Sequence, residues 1–153
     1  MIDNDTNKYF DIAFKEAKKS FHKGEIPVGA VIVKKGQIIS TAHNLKETKN
    51  CSLYHAEMIA IKKAAKKLNN WRLNECDIYV TLEPCEMCAA AIKQARIRNV
   101  FSAISNDDEN IHNNVLNIFK TDKSNPQVNL YNDLRIKDGE RILKDFFIST
   151  RNK

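Results

Sequence analysis

Two short motifs in this sequence combine residue types that bind metals and transfer protons. HAE places His55 two positions before Glu57, and PCEMC places Cys85 three positions before Cys88. PCEMC directly follows the apolar run DIYVTL, so we expect Cys85 and Cys88 on one face of the first turn of a helix. Backbone N–H groups and the helix dipole lower thiol pKa values there. Two thiolates at this spacing suit zinc, although a lone C-x-x-C also fits a redox pair or two unrelated core cysteines.

His55 favours the metal among these alternatives. A histidine at the start of a second helix adds a third ligand, and three protein ligands are typical of a catalytic zinc that keeps one position open for water. Positions i and i+2 of a helix do not face each other, so we do not expect Glu57 to share the metal with His55. Glu57 is instead a candidate to take a proton from that water. Its alternative role is a first-turn carboxylate that stabilises the helix N-terminus.

The remaining cysteines and histidines lack such spacing. We interpret Cys51 and Cys76 as small buried hydrophobic residues, because a closed structural zinc site needs a second close pair of ligands. We interpret His22, His43 and His112 as surface or hydrogen-bonded residues.

Composition predicts one folded domain over residues 1–153, with 42% hydrophobic and 29% charged residues. The net charge of +6 suits a phosphate-bearing partner, although excess lysine also serves solubility. Four unevenly spaced cysteines do not predict the disulfide framework of a secreted scaffold. No apolar run approaches the roughly 18 residues of a membrane span, and the first residues lack the pattern of a signal peptide. We therefore expect no membrane association and a cytoplasmic location.

Hydrophobic periodicity predicts strands and helices in alternation, the pattern of a layered α/β domain. The predicted elements are a helix over 5–23, strands PVGAVIV and QIIST in a hairpin that turns at Gly36, a helix over 55–68, strand DIYVTL, helix CEMCAAAIKQA, strand NVFSAI, a strand over 128–131 and a helix from about Asp138. On the helix over 55–68, Met58, Ile61, Ala65 and Leu68 share one side and lysines share the other. The polar segment 106–125 predicts a surface excursion with one short helix around 115–119.

His-x-Glu followed by Pro-Cys-x-x-Cys resembles the signature of the zinc-dependent nucleobase deaminases. Further segments extend the likeness: GEIPVGAVIV, Asn44 in AHN, HAEMIAI, WRL, YVTLEPCEMCAAAI and a late DFF. Together they resemble the bacterial tRNA-specific adenosine deaminases of the cytidine and deoxycytidylate deaminase superfamily.

This resemblance implies a three-layer α/β/α cytidine-deaminase-like fold with a mixed central sheet of about five strands. It also implies one zinc ion per chain and a homodimer with active sites near the subunit interface. In the family, the residues that match His55, Cys85 and Cys88 hold the metal. The match to Glu57 shuttles protons, and the match to Asn44 binds the target base.

Three segments depart from the family pattern. The family typically has Asp-Pro-Thr-Ala before the histidine, where this chain has CSLY, residues 51–54. It also tends to carry Arg-Asp, then Lys and a glycine-rich stretch, where this chain has Ile104, Ser105 and NDDENIHNN. The usual basic tail is reduced to Arg151 and Lys153. These departures lie where the family contacts RNA, so they concern the substrate more than the chemistry.

Three functions follow as alternatives. The first is deamination of the wobble adenosine in a tRNA anticodon stem-loop to inosine, with Glu57 carrying a proton to N1 and then to the departing ammonia. The second is deamination of a free base, nucleoside or nucleotide of the cytosine or guanine type. The basic charge, EIPVGAV and DFF favour RNA, whereas CSLY and the NDDEN segment favour the second. The third, a non-catalytic zinc module that binds a partner, gives Glu57 no required role and more naturally uses four protein ligands.

Overall fold

The computed structural model describes residues 4–120 and 126–152, which form five helices and five strands in that described part of the chain. In chain order these are α1 (Asn4–His22), β1 (Gly29–Lys34), β2 (Gln37–His43), α2 (Ala56–Leu68), β3 (Cys76–Val80), α3 (Glu86–Gln94), β4 (Asn99–Ser102), α4 (Glu109–Lys120), β5 (Asn129–Tyr131) and α5 (Ile136–Arg151). The predicted alternation of strand and helix is therefore confirmed.

The strands form one mixed sheet in the order β2-β1-β3-β4-β5. β1 pairs antiparallel with β2 and β3, while β3, β4 and β5 run parallel to one another. The predicted hairpin between β1 and β2 turns at Lys35 and Gly36, which have φ values of 50° and 76°. Positive φ at both central residues is typical of the tight turns that match the twist of a β-hairpin.

Side chains that alternate along the strands bury both faces of the sheet. Ala30, Ile32 and Ile78 point to one face and pack against α2, α3 and α4. Val31 and Tyr79 point to the other face, where they pack against α1, with Ile142 of α5 beside them. Because successive residues of a strand point to opposite faces, this pattern produces three layers, α/β/α, as the resemblance implies.

The side of α2 that packs against the sheet is not the side that carries the predicted apolar stripe. Ala56, Ala60 and Ala64 are fully buried against the sheet. The predicted stripe is only half-buried, namely Met58, Ile61, Ala65 and Leu68, and three of these four residues are larger than alanine. Small alanine side chains let the helix lie close to the sheet, so the larger apolar residues are displaced toward the outer side.

The segment after β4 contains more helix than expected. α4 has 12 residues rather than one short turn around 115–119, and it buries Val115 and Phe119. Its start is stabilised by Asp108, whose Oδ1 accepts hydrogen bonds from the backbone N of Asn110 and Ile111. Residues 121–125 of the predicted excursion lie outside the described residues. Over 4–120 and 126–152, no helix has both the length and the apolar character that a bilayer crossing requires.

α1 lies unusually close to β1 at Gly29. A Cβ at Gly29 would lie 1.9 Å from the carbonyl oxygen of Ala13 and 2.7 Å from the backbone N of Ala17. Both distances are far below van der Waals contact, so only glycine fits between this helix and strand. The backbone of α1 therefore rests directly on the backbone of β1.

Candidate active site

Two helix starts meet at the carboxyl end of the central strand β3. His55 is the N-cap of α2, with φ −73° and ψ 154°, and Cys85 is the N-cap of α3, with φ −73° and ψ 175°. Both residues are extended and stand just outside their helices, while Cys88 lies in the first turn of α3 and is fully buried. The loops that follow β2 and β3 thus bring residues 30 positions apart in the chain into one cluster.

The three side chains have the spacing of metal ligands. His55 Nδ1 lies 3.6 Å from Cys85 Sγ and 3.5 Å from Cys88 Sγ, and all three ligand atoms lie within 4.8 Å of one another. Zinc–sulfur and zinc–nitrogen bonds of about 2.3 and 2.0–2.1 Å at a tetrahedral angle place nitrogen and sulfur about 3.5 Å apart. One imidazole and two thiols at these distances therefore fit a metal site, with Nδ1 as the histidine ligand atom.

The surroundings of the two thiols differ. A hydrogen bond donated by Cys88 lowers the pKa of Cys85 to about 4, and a second bond from His55 acts in the same direction. The hydrogen bond with Cys85, together with burial, raises the pKa of Cys88. Cys85 is thus the sulfur that this environment prepares as a thiolate, the form that binds metals.

Glu57 lies in the first turn of α2 and is 3% exposed. Burial is the largest influence on this carboxyl group and raises its pKa to about 7. Because His55 is an extended N-cap, the helical i, i+2 rule does not separate the two side chains, and both line the same pocket. A carboxyl group that titrates near neutral pH can both accept and release a proton there.

The pocket beside these residues encloses about 230 Å³. Its lining comprises Ile26, Val28, Asn44, Lys46, His55, Ala56, Glu57, Leu82, Glu83, Cys85 and Asn106. The side-chain amide of Asn44 is fixed by two hydrogen bonds to the backbone. Its Nδ2 donates to the carbonyl oxygen of Ile26 at 3.1 Å, and its Oδ1 accepts from the backbone N of Lys46 at 3.1 Å. The structure therefore brings every predicted site residue into or beside one pocket.

Comparison with known proteins identifies the family. The sequence model of the MafB19-like deaminases matches residues 4–151. The chain belongs to the MafB19-like deaminase family. It is 39% identical over 145 residues to the tRNA-specific adenosine deaminase of Bacillus subtilis (strain 168), a match that covers 95% of this chain and 90% of that relative.

Two solved structures resemble this deaminase. One comes from a study of A-to-I editing by tRNA:A34 deaminases at the wobble position of transfer RNA, with a TM-score of 0.83, 32% identity, and coverage of 90% of this chain and 99% of that one. The other is guanine deaminase from Bacillus subtilis, with a TM-score of 0.64, 40% identity, and coverage of 67% of this chain and 66% of that one. The predicted fold and the resemblance to adenosine deaminases are thereby confirmed.

Two buried glutamates of this deaminase, Glu25 and Glu83, carry no signal in the sequence pattern. Glu25 accepts hydrogen bonds from the backbone N of Glu47 at 2.9 Å and of Thr48 at 2.6 Å, which fixes the loop after Asn44. Glu83 makes similar contacts with the segment after β4. Both lie in segments that resemble the family, EIPVG and TLEPC, but no spacing rule links a glutamate to backbone groups over 20 positions away.

The other cysteines and histidines lie outside the metal group. Cys76 is fully buried as predicted, and burial raises the pKa of its thiol. The prediction for Cys51 is wrong, since this residue in the loop before α2 is only half-buried. His43 contacts Glu16 on α1 at 3.1 Å, and His112 is hydrogen-bonded as well.

Proposed function

We propose that this deaminase converts the wobble adenosine of a tRNA anticodon stem-loop to inosine. The match to a tRNA-specific adenosine deaminase over nearly the full length of both chains is the observation that carries this proposal. The guanine deaminase similarity covers a smaller share of the chain. The pocket volume of about 230 Å³ is sufficient for one base. The net charge of +6 suits a polyanionic substrate.

The metal in this proposal is one zinc ion per chain, held by His55, Cys85 and Cys88. The donor set of one imidazole and two thiols, at separations of 3.5–3.6 Å from the imidazole nitrogen, supports zinc over a hard cation such as magnesium. When bound with three protein ligands, zinc keeps a fourth position for water and lowers the pKa of that water to make it a nucleophile.

Glu57 and Asn44 provide the remaining chemistry. Replacing an amino group by oxygen adds one water and releases one ammonia, so a proton must reach the ring nitrogen N1 and later the departing amine. Glu57 is placed to carry it, because its carboxyl group is buried in the same pocket as the metal ligands. Asn44 is fixed by two backbone contacts, and Nδ2 has a second hydrogen with which to orient the flipped-out base.

An assay of ammonia release on matched substrates tests the substrate. We expect release from an arginine-tRNA anticodon stem-loop with adenosine at the wobble position, together with inosine at that position. The same stem-loop with guanosine there is the control, and free adenosine, cytosine, guanine and their nucleosides form the comparison set. Turnover of guanine or cytosine without turnover of the stem-loop would replace the RNA proposal with the free-base alternative.

We further propose that the protein forms a homodimer through the outer side of α2. Leu53, Tyr54, Met58, Ile59 and Ile61 line an apolar groove there, and Leu53 is 53% exposed. A second chain that covers this groove would remove Leu53 and the half-buried Met58 and Ile61 of α2 from water. Tyr54 directly precedes His55, so such an interface would lie beside the active site.

Light scattering tests the homodimer. The wild-type protein should have the mass of two chains at micromolar concentration, and Leu53→Asp should raise the dissociation constant by about 10-fold or more because it buries an unpaired charge. Ile148→Asp changes an apolar residue of α5 with comparable exposure and should leave the mass unchanged. A wild-type monomer at this concentration would contradict the proposal.

A tRNA substrate also supports the proposed cytoplasmic location. We propose in addition that residues 1–153 form a single deaminase domain, since the family match spans residues 4–151.

A further inference from the structure

Glu83 is a buried side chain that neither metal binding nor the proposed proton transfer uses. It is 2% exposed. Its Oε1 accepts hydrogen bonds from Nδ1 of His112 at 2.6 Å and from Nδ2 of Asn132, and its Oε2 accepts one from the backbone N of Asn106 at 3.2 Å. A buried carboxyl group is costly unless such donors surround it, so these contacts are what its burial requires.

The donors to this carboxyl group come from separate parts of the fold. Asn106 follows β4, His112 lies in the first turns of α4, and Asn132 follows β5. Asn132 is itself fixed, because its Oδ1 accepts a hydrogen bond from Oγ of Ser102 at the end of β4. One side chain therefore joins the carboxyl ends of three parallel strands to the start of α4.

The same side chain connects the metal ligands to the edge of the pocket. Glu83 is followed directly by Pro84 and Cys85, and both Glu83 and Asn106 line the pocket. Glu83 belongs to a segment that matches the deaminase pattern, whereas residues 105–112 belong to a segment that departs from it. The hydrogen bonds of Glu83 thus fix the segment that follows β4 onto the loop that carries a metal ligand.

We propose that Glu83 is a positioning residue that, with His112, holds residues 105–112 as the rim that binds the nucleotide carrying the target base. This inference rests on the proposed RNA substrate. Asn106 is the rim residue that contacts this nucleotide. Its Oδ1 accepts from the backbone N of Asp108 at 3.0 Å, and its Nδ2 can donate to a sugar or phosphate oxygen.

Loss of the His112 contact predicts a specific kinetic signature. Without it the rim loosens, and substrate binding then has to order residues 105–112, which raises KM. Glu57 and the metal ligands do not touch His112, so kcat is preserved. A group that served only general stability would lower the amount of active protein without changing KM.

The experiment compares His112→Leu, which removes the donor, with His112→Asn, which keeps a nitrogen donor near the position of Nδ1. In zinc-loaded protein, we expect faster amide exchange across 105–112 in His112→Leu and wild-type exchange in His112→Asn. For the anticodon stem-loop, His112→Leu should raise KM by about 10-fold with kcat within about threefold, and His112→Asn should restore KM. His22→Leu, at an exposed histidine on α1, is the matched control and should behave as wild type.

Glu83→Gln is the second variant. It keeps the size of the side chain but replaces one accepting oxygen with an NH2 donor, which would face another donor instead of accepting from it. It should reproduce the exchange and KM changes of His112→Leu. Wild-type KM and wild-type exchange in both variants would overturn the positioning role, as would a loss of kcat at unchanged KM in His112→Leu. A wild-type enzyme that is inactive on the stem-loop would instead refute the proposed RNA function, because the exchange measurement does not depend on a substrate.

Discussion

Replacing Glu57 with alanine is expected to abolish turnover while leaving zinc bound. Glu57 is assigned to proton transfer and not to coordination, so the three ligands remain in place. Positioned acid–base groups contribute about 10²- to 10⁴-fold, and a residue used in several transfers should lie at or beyond the upper value. Zinc content by elemental analysis, beside the deamination rate on the best substrate, measures both parts of this expectation.

Two further variants make the result specific. Glu57→Gln keeps the volume of the side chain but cannot take a proton, so it should be as inactive as the alanine variant. Glu140→Ala removes an exposed glutamate on α5 and should leave activity unchanged. Near-normal activity of Glu57→Ala would reduce Glu57 to a charge at the start of α2, and loss of zinc from this variant would make Glu57 a ligand.

Replacing Cys88 with serine should remove both zinc and activity. Cys88 is fully buried beside Nδ1 of His55, so the loss of its sulfur leaves two ligands and a hydroxyl group that does not ionise near neutral pH. We expect less than about one tenth of the wild-type zinc content after dialysis. Cys51→Ser is the matched control, since Cys51 is half-buried outside the metal group and should retain full zinc content.

The corresponding variants of the other ligands extend this measurement. Cys85→Ser and His55→Ala should also lose zinc, because each supplies one of three protein ligands. Stoichiometric zinc in all three variants would place the metal elsewhere in the protein. Activity without zinc in Cys88→Ser would refute the role of the metal in the reaction.

The grouping of the metal ligands was predictable because it depends on local patterns. A strand followed by Cys-x-x-Cys predicts a helix start, and both cysteines are then close in space whatever the rest of the chain does. His55 was harder to place, because a cap residue and a first-turn residue look alike in sequence, although their side chains point differently. Because the backbone of His55 is extended and not helical, its side chain can lie in the same pocket as Glu57, which a regular helix would not allow at positions i and i+2.

The contacts that fix the pocket could not be predicted from the sequence. Glu25 and Glu83 bond to groups that are 22 to 49 positions away, and those partners become neighbours only after the sheet forms. The side of α2 that faces the sheet could not be predicted for a different reason. Periodicity emphasises large apolar residues, whereas Ala60 and Ala64 make the close contact with the sheet and Ile61 lies at its margin.

Because α1 packs directly on β1 at Gly29, a substitution there would alter the contacts that α1 makes with the substrate pocket. Further along α1, the hydroxyl group of Ser20 donates to the carbonyl oxygen of Asn44 at 2.8 Å, and Glu16 contacts the neighbouring His43. A methyl group at position 29 would push α1 away from the strand and would carry these two contacts with it. A substitution at position 29, outside the pocket, would therefore displace α1 and with it Asn44, the residue proposed to orient the base.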